Sequence, residues 1–394
     1  MMRTHTKLSQ WMIVGIGCVL CLTSAFAQEA DPGDFDDTIC DLQPGSLRDF
    51  SCREFGTVGS VTAASEALTR SSVMQTLLER IRDPEMDTGG ASADLGGERG
   101  FFVTGLFGFH DQDQTSRETA SDTDRYGLIM GLDWRRGPLV AGMALDYTYS
   151  DTTFEDQLQS DLRIGKRKSD EYGIQGFGLY YLKPQAWISG LARYGYTDYR
   201  TQRRVRFVDD DDIRRDEPVG GTTRGRTIGI VGSAGYDWAL DRGVELSLSG
   251  SIDYQRTRID GYTEDALPNE PVEGGRVRFD DDEVETLTTI LELRLARAYS
   301  VPTGVIVPHL AGRYLHEFEN KSRKIRFAAI GDNGVTISGD EYQTNNPDKD
   351  YLNLEIGVSS AFVGGWAAFA AYDVLLAHSF RSEHNLNIGL RREF

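Results

Sequence analysis

From residue 100 onward the side chains alternate in character with a period of two, which places successive residues on opposite faces of an extended strand. In residues 139–150, LVAGMALDYTYS, the odd positions carry Leu139, Ala141, Met143, Leu145, Tyr147 and Tyr149, while the even ones include Asp146, Thr148 and Ser150. Residues 244–254, 287–295 and 351–358 repeat the arrangement. About twelve such segments can be counted, starting near residues 100, 125, 139, 170, 186, 223, 244, 284, 304, 350, 365 and 383. The connections between them alternate between tight turns (135–138, 183–185, 241–243, 300–304, 363–365) and longer polar stretches (110–124, 151–170, 203–223, 258–283, 320–349). A soluble β-sandwich also alternates, but its loops follow no such order. The polar rows here favour Ser, Thr, Asn, Gly, Asp, Glu and Arg, as a crowded wet interior would. An all-β transmembrane antiparallel barrel, with short turns at one end and long loops at the other, accounts for the whole pattern. Aromatics near strand ends (Trp134, Tyr147, Tyr149, Tyr196, Tyr199, Tyr236, Trp238 and Phe362) are expected to form its girdles.

The N-terminal part is organised differently. Residues 1–27 read as a signal peptide: Arg3 and Lys7 supply the positive start, residues 11–22 the apolar run, and Ala25-Phe26-Ala27 the cleavage pattern. An acidic segment, 28–61, follows, and its Cys40 and Cys52 are expected to close a small loop as a disulfide in an oxidising compartment. Residues 62–83 have a helical period, with Ala64, Ala67, Leu68, Met74, Leu77, Leu78 and Ile81 on one stripe. Arg80 and Arg82 suit the helix C-terminus, and Pro84 ends it. A Gly- and Ala-containing linker, 84–97, leads into the barrel domain, 98–394.

Composition removes several function classes. The formal charge of −19 argues against a nucleic-acid partner, since such proteins need a basic footprint. No His-Ser-Asn run or equivalent hydrolase signature surrounds any histidine, including His378 and His384, which flank an outer loop with Ser379 and Ser382 beside them. The loop acids 209–212 and 280–283 are interleaved with arginines and lack the spacing of a calcium loop. Neither an enzyme, a cofactor nor a metal site is therefore expected. By parity Asp146, Asp253, Glu292, Arg294, His309, Arg313, Glu317, Glu355 and Arg391 are candidates to face the lumen, where opposite charges on neighbouring strands would brace a wall too wide for side chains to fill.

Two stretches then resemble a family. PHLAGRYLHEFEN (308–320) is similar to the late-strand motif of autotransporter translocator domains, and NLNIGLRREF (385–394) resembles their closing strand. The resemblance covers about residues 98–394. It implies a monomeric barrel of twelve strands in the outer membrane of a Gram-negative cell. Such a barrel would be exported by the secretion translocon, inserted by the barrel-assembly machinery, and surrounded by outer-membrane lipid and lipopolysaccharide. It also implies that a helix before the first strand occupies the pore, a place that 62–83 would take, and that Leu386, Ile388, Leu390 and the final Phe394 form a C-terminal assembly signal. Two departures stand out: 28–60 is far shorter than the usual passenger, and Arg392 stands where an aromatic is usual.

The expected role is thus an outer-membrane barrel of type V secretion, anchoring or presenting a short N-terminal segment with a helix in its pore. A free-standing pore, or an adhesin or enzyme acting through the long outer loops, are the alternatives. If Phe394 is part of the assembly signal, Phe394→Ser should block insertion while export to the periplasm continues. Fractionation and gel mobility of unheated samples check this, and normal outer-membrane levels of the variant would contradict it.

Overall fold

The computed structural model describes residues 99–115, 118–155, 163–208, 214–267, 276–319, 322–330, 336–344 and 348–394. The signal peptide, the Cys40–Cys52 pair, the 62–83 helix and the 84–97 linker lie outside these. Twelve long strands form one antiparallel sheet that closes on itself. They are β1 (Arg99–Gln112), β2 (Ala120–Arg136), β3 (Leu139–Glu155), β4 (Arg163–Lys183), β5 (Ala186–Val208) and β6 (Arg214–Ala239). The second half contains β7 (Val244–Ile259), β8 (Asp282–Arg297), β9 (Gly304–Glu317), β10 (Asp350–Phe362), β11 (Trp366–Leu376) and β12 (Arg381–Glu393). Each strand pairs with its neighbours in the chain, and β12 pairs with β1 from Gly100↔Glu393 to Gln112↔Arg381.

The two faces invert the usual soluble arrangement. Outward residues such as Leu132, Met143, Leu145, Ile174, Ile230, Ile252, Leu293 and Ile356 are exposed, whereas Thr104, Asp146, Arg193, Asp253 and Glu355 are buried inside the ring. An exposed apolar belt is stable only against lipid. On β2 it runs from Tyr126 to Trp134, on β3 from Leu139 to Tyr147, on β6 from Ile228 to Trp238 and on β7 from Leu246 to Tyr254. Each belt is the roughly ten residues a tilted strand needs to cross a hydrocarbon core.

Beyond the belt the strands do not stop. Residues 151–155, 163–170, 203–208 and 214–222, whose polarity reads as loop, continue the ladders of β3 to β6, so that β5 has 23 residues and β6 has 26. The apolar alternation ends where the lipid ends, because the outer row then meets water, but backbone pairing needs no apolar row and the inner row stays buried, as at Thr152, Phe154, Arg167 and Val219. Loop segments Tyr262–Thr263, Arg276–Phe279, Lys324–Ile330 and Thr336–Gln343 form a second, four-stranded sheet at the same end. Among the described residues the opposite end has tight turns, where Gly137 and Gly364 take positive φ.

Trp134, Tyr236 and Trp238 lie on the outer face. Tyr199, expected in the girdle, does not: it is 1% exposed and points inward, packing with Ile259 and Val284. Its odd number shares the parity of Leu191 and Arg193, which fixes its face.

On β1 to β6 the interior near the tight turns carries an apolar cluster that follows one device. Phe102 faces Gly131, Phe177 faces Gly142, and Trp187 faces Gly235, each pair directly opposite in register. A Cβ at any of these glycines would overlap the opposing ring. Each aromatic thus covers a backbone that only glycine leaves bare. Gly142→Ala should lower barrel stability by about 1–3 kcal/mol, the typical cost of overpacking. Gly176→Ala, where an added Cβ meets nothing within 4 Å, should be neutral by comparison. Urea midpoints of the refolded barrel, compared side by side, check both.

Candidate functional site

A barrel works through its bore, so the candidate site is built from the inward rows. Above the apolar end, the middle of the wall is held by charged braces. Asp146 of β3 accepts from Gln175 Nε2 (3.1 Å) on β4 and from Arg193 Nε (3.2 Å) and a terminal guanidinium nitrogen (2.5 Å) on β5. The same Arg193 reaches Glu171 at 2.7 Å. The Arg193–Asp146 pair skips a strand, crossing β4 at Gly173, where a Cβ would overlap both partners.

A second network covers β8 to β12. Arg313 donates to Glu292 (2.8 Å), to Glu355 (2.8 Å) and to Asn353 Oδ1 (3.2 Å). His309 Nε2 lies 3.0 Å from Glu355. Asn353 and Asn385 both donate to Asp373, at 3.1 and 3.0 Å. Tyr351 donates its hydroxyl to Glu317 at 2.7 Å. Across the seam, Arg391 of β12 pairs with Asp133 of β2 at 3.0 and 2.5 Å, passing over Gly100 of β1. Buried charges are tolerated only when paired and hydrogen-bonded, which these networks achieve from strand to strand.

The structure therefore places Asp146, Asp253, Glu292, Arg294, His309, Arg313, Glu317 and Glu355 among the buried inward residues, and Arg391 half-buried at the closing seam. It brings Glu292, His309, Arg313 and Glu355 into one cluster, and keeps Asp146, Glu317 and Arg391 in separate ones. Leu386, Ile388, Leu390 and Phe394 lie on the exposed outer row. Sequence reasoning did not single out Arg193, Glu171, Asp133 or Asp373. Parity within β5 would have found Arg193, but Gly-rich β4 and alanine-rich β11 hide their faces.

At the long-loop end the bore meets the second sheet. Arg203, near the end of β5, grips Glu264 with two hydrogen bonds of 2.7 and 2.6 Å, and both side chains are almost wholly buried. Val277 N–H donates to the same carboxylate at 3.0 Å. Tyr262 stacks on Phe279 with 5.0 Å between ring centres, and burial pushes the Tyr262 hydroxyl pKa up. Val219 and Gly220 of β6 pair with Ala266 and Asp265. Other loop arginines stay exposed on carboxylates, as Arg226–Asp260 and Arg258–Asp281 do.

Catalytic geometry is a separate matter. Ser379 donates to Asp348 through its backbone N–H to Oδ2 (2.5 Å) and its hydroxyl to Oδ1 (3.0 Å), while His378 Nδ1 lies 3.5 Å from Oδ2. Burial lowers His378 to about 4, with nearby Arg381 adding to the effect, so the ring is neutral at pH 7. Among the described residues no histidine hydrogen-bonds to a serine, and no three potential metal ligands converge.

Comparison with known proteins gives a consistent picture. A family model, the autotransporter beta-domain, matches residues 101–373. No curated protein matches the sequence. Among solved structures, the translocator domain of the autotransporter NalP from Neisseria meningitidis is similar at a TM-score of 0.59 and 14% identity, covering 85% of this chain and 100% of that one. The beta domain of the Bordetella autotransporter BrkA is similar at 0.51 and 18% identity, covering 75% of this chain and 100% of that one. At these identities the likeness is one of fold.

The Arg203–Glu264 pair generates a test of how the loop sheet is held. Glu264→Ala takes from buried Arg203 the carboxylate that accepts its two hydrogen bonds, a loss of about 3–5 kcal/mol. The expected result is faster proteolytic cutting within 260–281 while β-sheet circular dichroism is kept. The double change Arg203→Met with Glu264→Leu should restore much of the protection.

Proposed function

The chain belongs to the autotransporter beta-domain family, the outer-membrane translocator barrels of type V secretion, and from that premise we propose that its finer role is to hold and present its own N-terminal segment. In this reading residues 62–83 form a helix inside the bore, and residues 28–61, stapled by Cys40 and Cys52, reach the cell surface through it. The chain arrives in a Gram-negative envelope with residues 1–27 cleaved, is inserted by the assembly machinery, and works as a monomer.

The observation that carries the reading is the inner wall near the tight turns. On β1 to β5 Phe102, Ile129, Phe177, Leu179, Trp187 and Leu191 make one side of it apolar, whereas a bore built to pass water and small solutes would be lined by polar groups throughout. An amphipathic helix is the partner such a wall suits. The apolar stripe from Ala64 to Ile81 would meet the aromatic patch, and Arg70, Arg80 and Arg82 would lie within reach of wall carboxylates. Catalysis has no part in the proposal.

Deleting residues 62–82 should raise single-channel conductance in planar bilayers sharply. A wild-type barrel that is already open, and unchanged by the deletion, would overturn the plug and favour a free-standing pore. An epitope placed just after Gln28 should be cut by protease added to whole cells. Complete protection would overturn presentation.

A further inference from the structure

The outer face of β8 to β12 carries an open apolar groove of about 700 Å³. It is the valley between two outward rows. One ridge is tall, made by Leu295, Leu310, Ile356 and Tyr372. The other is low, because Pro308, Val358 and Ala370 are short. The floor is the backbone of the inward row between them, where Ala296, His309, Gly357 and Ala371 follow one another in register. The groove thus runs along the hydrogen-bond direction. Since barrel strands tilt by about 40°, it climbs obliquely through the belt rather than lying level in it.

Its end at the tight turns is marked by charge. Arg297, last residue of β8, lines the groove there, and its guanidinium sits 4.9 Å over the ring of exposed Tyr299. At the long-loop end the outward arginines are neutralised: Arg200 by Asp170, Arg224 by Asp198, Arg256 by Glu283 and Arg258 by Asp281. Among the described residues no carboxylate lies within ion-pair distance of Arg297. The ring holds the side chain in place but supplies no negative charge, so the guanidinium keeps its donors for an outside anion. Arg392 at the same end also sits over a ring, Trp366 at 5.1 Å, but it donates to the Gly364 carbonyl.

We propose that this groove is a binding site for an anionic phospholipid of the periplasmic leaflet, one acyl chain lying in the valley and the phosphate on Arg297. The short turns face the periplasm in such barrels, so the headgroup level at Arg297 is that of the inner leaflet and not of lipopolysaccharide. Chain and phosphate together explain why an apolar channel ends at an unpaired, aromatic-backed guanidinium. Neither feature serves the bore.

The purified full chain in detergent micelles is titrated with phosphatidylglycerol and, separately, with phosphatidylcholine of the same chains, and bound lipids are counted by native mass spectrometry. One interfacial arginine is expected to give a preference for the anionic lipid of about fivefold. Arg297→Gln should abolish the preference while leaving the neutral lipid bound. Ala370→Trp, which fills the valley, should reduce both lipids together. Arg242→Gln, an exposed cation at the same end outside the groove, should change nothing. Glycerol phosphate, a headgroup without chains, should not compete. Equal binding of both lipids to the wild type, an unchanged preference in Arg297→Gln, or displacement by glycerol phosphate would each overturn the proposal.

Discussion

Inside a hydrocarbon layer each unpaired backbone N–H or C=O costs several kcal/mol, so a sheet that crosses it cannot keep an edge. Here the edges are β1 and β12, and their thirteen-step pairing from Gly100 to Gln112 satisfies both. The closure is reinforced from within: Arg391 reaches over Gly100 to Asp133, tying β12 to β2 across the strand between them. Once the ring is shut, the rest is constrained. One row must face lipid and become apolar, and the other is enclosed in a space whose polar groups have to satisfy one another.

That enclosed space is divided along the axis. Near the tight turns of β1 to β6, aromatic rings lie over glycines and make that side of the wall apolar. Guanidinium–carboxylate braces run from strand to strand and twice skip one at a glycine, Arg193 to Asp146 in the middle of the wall and Arg391 to Asp133 at the tight-turn end. Toward the loops, a second sheet is fastened to the wall through Arg203 and Glu264. Glycine has three separate uses here. It admits an aromatic ring, lets an ion pair cross, or permits a turn of positive φ at Gly137.

Much of this was legible from residue types. Strand starts at the tight-turn end, near 139, 186, 244 and 304, coincide with the observed ones because the apolar belt begins there. Starts at the loop end fell short, at 125, 170 and 223 against observed strands from 120, 163 and 214, because polar extensions carry no alternation. The face of β4 was hidden for a different reason: Phe177 and Leu179 are apolar yet inward, so both rows look alike. Glu264 gave no sign of burial, since its partner Arg203 lies sixty-one positions away on a strand it never pairs with.

Period, loop order and the apolar belts determined by themselves that this chain crosses a membrane as a barrel of about twelve strands, because alternation and hydrocarbon thickness are local properties. Which charges meet, which glycines make room and where a groove opens on the lipid face were decided only by the closed sheet. Those depend on stagger between strands distant in sequence. A closing register such as Gly100↔Glu393 exists only once the ring is complete.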